Sequence, residues 1–238
     1  MEAAAEPGRY VRRSVHPGAV LWIVGVVEFV VAMAVVQLAW TNPSYSLTQN
    51  VISDLGAVHC GLQSGRDVCS PLHTVFNVSV VVVGILLIAG LWFAYSALPR
   101  GRWGQLGSGL LLVSGLGAIG VGLNPEDVRL SLHLLSAALA FGGGNLALVA
   151  YGIAMRSDPR WRRLASLTLG LGIVGLAAFV LIAARAYDWG GVFSAWGEGG
   201  IERTIAAPLF VWAAIAAIAL LRRPEFAPRR VEAARSGS

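Results

Sequence analysis

The stretch Gly18–Trp40 reads GAVLWIVGVVEFVVAMAVVQLAW, 23 residues with a single ionisable side chain, Glu28. Wound as a helix it is about 34 Å long, enough to cross the roughly 30 Å hydrocarbon layer of a bilayer. Five stretches of the same character follow at Thr74–Ala97, Gly104–Leu123, His133–Met155, Leu164–Ala186 and Thr204–Leu221. They predict an all-α polytopic membrane protein whose transmembrane domain, 18–221, is a bundle of six helices. Composition agrees: 56% of the 238 residues are apolar and 13% charged, where water-soluble domains carry about a quarter charged. The longest segment between spans is the loop 41–73, too short for a separate soluble domain.

Charge sets the expected orientation. All 18 basic residues are arginine, and 14 of them fall in the tail 1–17, between spans two and three, between spans four and five, and in the tail 222–238. The alternate connections hold Arg66, Arg129, Arg185 and Arg203, beside the acids Asp54, Asp67, Glu126, Asp127, Asp188, Glu198 and Glu202. By the positive-inside rule both tails are cytoplasmic and the loop 41–73 lies outside, in a multi-pass membrane protein. The basic balance then belongs to residues that anchor helix ends, and no nucleic-acid partner is expected. The first span runs past the triplet Ala32-Met33-Ala34 to Trp40, which favours a retained anchor over a cleaved signal.

The absence of lysine excludes a Walker-A nucleotide site, a Schiff-base lysine and pyridoxal-phosphate chemistry, and with them ATP-driven transport within this chain. There is no H-E-x-x-H pair and no G-x-S-x-G elbow. Two G-x-G-x-x-G matches, Gly115–Gly120 and Gly170–Gly175, lie inside apolar spans with no strand before them, so their small residues serve close helix approach. The stripe Ala137, Ala140, Gly144, Ala147 reads the same way. No spacing matches a metal or cofactor signature, and neither is expected.

The outer loop carries the most specific residues. Cys60 and Cys69 are the only cysteines, nine apart around the turn formers Gly61, Ser64 and Gly65. In an oxidising compartment they can form a disulfide worth roughly 2–3 kcal/mol; the alternative is two free thiols. The run Ile52-Ser53-Asp54-Leu55-Gly56, then Cys69-Ser70-Pro71-Leu72-His73 with Asn77 and Gly84, then Leu132-His133 and Gly144-Asn145, resembles the bacterial family called domain of unknown function 998. The likeness covers essentially the whole six-helix span, with S-D-L-G and C-S-P-L-H as its specific part. More distantly, I-S-D-x-G is similar to an element of the eukaryotic Frag/DRAM-type membrane proteins, some of which are tied to lipid remodelling. The closer family has no assigned activity, so the resemblance implies a fold and a place in the bacterial cell (plasma) membrane, and leaves the reaction open.

Two sets of polar residues are candidate sites. Glu28 lies at the midpoint of the first span, where an ionised carboxylate costs several kcal/mol unless paired or wet, and Asn145 at the midpoint of the fourth is the expected partner. Asp54, His59, His73, Asn77 and His133 all fall near the outer surface. Converging, they could hold a metal and activate water, or perform acid and base chemistry on a lipid headgroup. Capping and interhelical hydrogen bonds are the structural alternative. A shift of 60 residues aligns Leu72–Arg100 on Leu132–Arg160 with seven of 29 identities, pairing His73 with His133, which suggests a parallel internal repeat. Three functions follow as expectations: lipid binding or modification at the outer leaflet, with membrane lipids or a small-molecule ligand as partner; a proton-coupled secondary transporter centred on Glu28; or a non-catalytic membrane or sensory subunit.

Overall fold

The computed structural model describes residues 16–184 and 196–222. It contains six helices long and apolar enough to span a membrane, as expected. They are α1 (Pro17–Ala39), α2 (His73–Ala94), α3 (Gly101–Leu123), α4 (Leu130–Met155), α5 (Ala165–Ala183) and α6 (Gly197–Arg222). The arginines before residue 16 and after 222, together with Arg185 and Asp188, lie outside the described residues.

Consecutive helices pack side by side and α6 returns to α1, closing a ring. Large apolar side chains face outward: Val24, Val27, Val31 and Val35 of α1 are all exposed, which suits lipid and not water. Backbones come close where glycines replace side chains. A Cβ on Gly84 would lie 2.6 Å from the carbonyl oxygen of Gly115, and one on Gly117 would lie 2.4 Å from the backbone nitrogen of Ala140. The glycines of the α3 motif therefore press it onto α2 on one side and α4 on the other.

Helix α6 begins about two turns before the expected Thr204, at Gly197, whose φ of 63° needs glycine. Glu198, Glu202 and Arg203 are therefore helix residues, not loop residues. Hydropathy locates the part of a helix that crosses hydrocarbon; here the helix continues beyond it because partners in the loop between α1 and α2 satisfy its charged side chains. Helix α4 contains a π-helical turn, Ala138–Gly142, and the Ser114 hydroxyl of α3 donates to the Ala140 carbonyl there at 2.7 Å.

The two ends of the ring differ. At the end holding Arg100, Arg156 and Arg222, the interior is filled by Trp22, Tyr151 and Trp212, with Trp212 stacked on Tyr151 and tilted against Trp22. At the opposite end the segment 40–72 folds over the bundle as a cap. It contains a 3-10 turn, Ser53–Gly56, and a hairpin of strands β1 (Gly61–Gln63) and β2 (Arg66–Val68). Ser64 and Gly65 form a two-residue turn with positive φ at both positions, the backbone a tight hairpin requires. The Cys60–Cys69 disulfide closes the open end of this hairpin.

Candidate functional site

Asp54, in the 3-10 turn, has no solvent exposure. The hairpin delivers Arg66 to it in a two-pronged pairing, Nε to Oδ2 and Nη2 to Oδ1, both at 2.9 Å. Asn50 Nδ2 and the Val51 amide also donate to Oδ2, at 3.0 and 3.1 Å. Burial works against the charge on Arg66, but the Asp54 hydrogen bonds and charge, then Glu198, outweigh it and hold the guanidinium pKa above its ordinary value. The third Arg66 prong donates to Glu198 of α6. One α6 turn on, Glu202 accepts the Ile52 amide, and Arg203 donates to the Asn50 carbonyl and the Tyr45 hydroxyl. Burial pushes the Tyr45 phenol up to about 12, against the pull of Arg203. The cap is thus fastened to α6 by charge-assisted bonds, the strong kind.

The two segments most specific to the family resemblance meet in space. The Ser70 hydroxyl donates to the Leu55 carbonyl at 2.7 Å, and Asn77 donates to the Gly56 carbonyl at 2.9 Å. A Cβ on Gly56 would lie 2.3 Å from Asn77 Oδ1, so a larger residue there would have to displace the Asn77 amide that ties the turn to α2. Ser53 donates to Glu126 in the α3–α4 connection at 2.7 Å. S-D-L-G is therefore the central knot of the cap, tied to α2, to the hairpin and to the α3–α4 connection.

Beneath this knot, inside the ring, is a cavity of about 90 Å³. Phe29, Phe76, Val121, Phe141 and Phe210 supply much of its apolar wall; its polar residues are Ser53, Ser114, His133, Asn145 and Glu202. Helices α1, α2, α3, α4 and α6 all contribute, and the Trp22–Trp212–Tyr151 packing fills the interior beyond it toward the arginine-rich end. Asn145 is fully enclosed and its Oδ1 has no partner.

The expected polar cluster does not converge as one set. Asp54 and Asn77 bind the same turn, but the three imidazoles are directed to separate acceptors. His59 is largely exposed and pairs with Asp127 at 2.8 Å, His73 Nδ1 meets the Ser70 carbonyl at 3.1 Å, and His133 Nδ1 meets the Asn124 carbonyl at 2.8 Å. Among the described residues no three His, Cys, Asp or Glu side chains are placed to hold a metal ion. Glu28 is not joined to Asn145 either. The Asn145 amide donates to the carbonyls of Phe141 and Ile205, while Glu28 keeps one enclosed oxygen without a partner. Equal depth was the basis for pairing them, but α1 and α4 are not neighbours in the ring. What converges instead is Asp54, Arg66, Glu126, Glu198 and Glu202. The sequence signal for it was the clustering of acids with Arg66 and Arg203 in one set of connections, read there only as orientation.

Glu126, in the α3–α4 connection that the cap rests on, has a strongly raised pKa. Burial first, then the neighbouring Asp54 carboxyl, raise its pKa from 4.5 to about 8, with Ser53 opposing. Both causes favour the neutral carboxylic acid over the carboxylate. A carboxyl whose pKa is raised on folding contributes stability present below its unfolded value and lost as pH rises through the folded one. The melting temperature of detergent-solubilised protein should accordingly fall by about 3 °C or more from about pH 6 to about pH 9. Glu126→Gln should flatten that limb; an unchanged slope in the variant would assign it to other groups. The Asp127 carboxyl behaves oppositely. Burial would raise its pKa, but the Val58 and His59 amides and the His59 ring hold it low, so its contribution disappears only in acid.

No curated protein and no solved structure matches the chain. A family model does, over residues 23–220, from the first turns of α1 to the last of α6 and including the whole cap. Its description is "Protein of unknown function (DUF998)", and the chain belongs to that family, as the S-D-L-G and C-S-P-L-H segments led one to expect.

Proposed function

We propose that this integral membrane protein binds the polar end of a lipid or lipid-like amphiphile in the cavity under its cap, on the extracytoplasmic side of the plasma membrane. The arginine distribution supports that orientation. One observation carries the binding reading: a cavity with an aromatic and aliphatic wall and a few polar groups from Ser53, His133 and Glu202 at its capped end, the usual make-up of an amphiphile site. The aromatic packing toward the arginine-rich end favours a closed binding site over a through-passage. A carrier reading retains one supporting fact, the enclosed and unpartnered oxygen of Glu28.

The test is the lipid content of purified protein. Native mass spectrometry of the wild type should show one retained amphiphile beyond the detergent background. Ala206→Phe, which adds a ring to the cavity wall, should reduce that occupancy by about tenfold, the equivalent of ~1.4 kcal/mol, with the melting temperature kept. Equal occupancy in both proteins, or none in the wild type, overturns the reading.

A further inference from the structure

The hydrogen-bond inventory of the cavity is one-sided. Both Asn145 amide hydrogens are directed to carbonyls, at 2.9 Å to Phe141 and 3.0 Å to Ile205, and its unpartnered Oδ1 lies against Gly175 of α5. A carbonyl only accepts, so the bond from His133 Nδ1 to Asn124 fixes the proton on Nδ1 and leaves Nε2 of the neutral ring as an acceptor. Ser53 gives its hydroxyl hydrogen to Glu126, and Ser114 gives its own to the Ala140 carbonyl. Glu202 accepts. Ser53, Ser114, His133 and Asn145 thus have their side-chain hydrogens engaged with the protein and retain lone pairs.

Charge points the same way. Among the described residues Glu202 is the only acidic side chain on the wall, and it is nine-tenths buried. The two cations nearest it among the described residues are held by other groups: Arg66 by Asp54 and Glu198, Arg203 by the Asn50 and Gly199 carbonyls and Tyr45. A phosphate or carboxylate entering this cavity would find no free side-chain donor among Ser53, Ser114, His133 and Asn145 and would face the Glu202 carboxyl group. A group rich in donors and carrying positive charge would meet lone pairs on several sides.

We infer that the cavity selects an amphiphile whose polar end is an ammonium group, with the ammonium held between Glu202, Ser53 and His133 and the apolar body against Phe29, Phe76 and Phe210. Several water-sized groups fit in 90 Å³, room for an ammonium head and the first methylenes of its chain. This deepens the amphiphile reading and rests on it. The ammonium can belong to an aminolipid or to a free alkylamine.

Competition binding near neutral pH tests it. Delipidated full-length protein would be loaded with tritiated decylamine, and decylamine, decanol and decanoate compared as displacing ligands. Decylamine should displace at a concentration at least about tenfold lower than either of the others, the worth of one charge-assisted bond. Glu202→Gln and, independently, Ser53→Ala should narrow that ratio. Saturable binding with all three displacing equally, or with decanoate best, overturns the ammonium inference and leaves the amphiphile reading standing. No saturable binding of any of them, with Ala206→Phe also leaving copurified lipid unchanged, overturns both. The wild-type ranking decides even if a variant fails to fold. A diacyl aminolipid that displaces decylamine while its choline counterpart does not would identify the lipid source.

Discussion

Arg66→Met should destabilise the protein by about 3–5 kcal/mol, the usual cost of removing one partner from a buried ion pair. Asp54 is fully enclosed and would lose two hydrogen bonds at once, and Glu198 would lose its partner as well. The measurement is thermal unfolding of the full chain in detergent, with proteolysis of residues 57–69 as a local readout. The double variant Asp54→Asn, Arg66→Met should recover much of the loss, because it removes the uncompensated charge. His59→Ala should shift the midpoint little, since that pair is exposed on the histidine side. If Arg66→Met melts with the wild type, the hairpin does not fasten the cap.

Gly117→Val is the second large effect expected. Its Cβ would fall 2.4 Å from the Ala140 nitrogen and 2.8 Å from the Leu139 carbonyl carbon, so backbone and not a flexible side chain must yield. Overpacking of this kind costs about 1–3 kcal/mol and sometimes more. Gly109→Val on the same helix, where a Cβ meets nothing within 4 Å, supplies the control. The folded fraction by size-exclusion chromatography should drop for Gly117→Val alone. Equal behaviour of the two would mean that α3 and α4 can separate without penalty.

The six spans were legible because crossing hydrocarbon constrains composition over some twenty residues at a time. The disulfide was legible because a short loop with turn residues between two cysteines has few other arrangements. The pairing of Asp54 with Arg66 was not. Twelve residues and a hairpin register separate them, and no periodicity connects a 3-10 turn to a strand. The contact of Glu202 with Ile52 spans 150 residues and depends on α6 lying beside the cap. Depth within the membrane can be read from a span's midpoint, but azimuth around the bundle cannot, which is why Glu28 and Asn145 looked like partners. The histidines could converge or bond locally, and His73 and His133 take the second course, each meeting a backbone carbonyl close to its own helix start.

The π turn of α4 governs which residues share the cavity. In an unbroken α-helix, positions 133 and 145 point about 120° apart, toward different neighbours. A π turn acts as one inserted residue, and removing that residue's rotation brings the two directions to within about 20° of each other. His133 and Asn145 therefore project from one side of α4 only because the helix changes phase between them. Straightening Ala138–Gly142 would turn the lower half of α4 by about a quarter turn relative to the upper half and take Asn145 away from the Ile205 carbonyl. Composition of the cavity wall is thus a property of helix winding at five residues, and a register slip there would exchange one lining for another without altering any side chain.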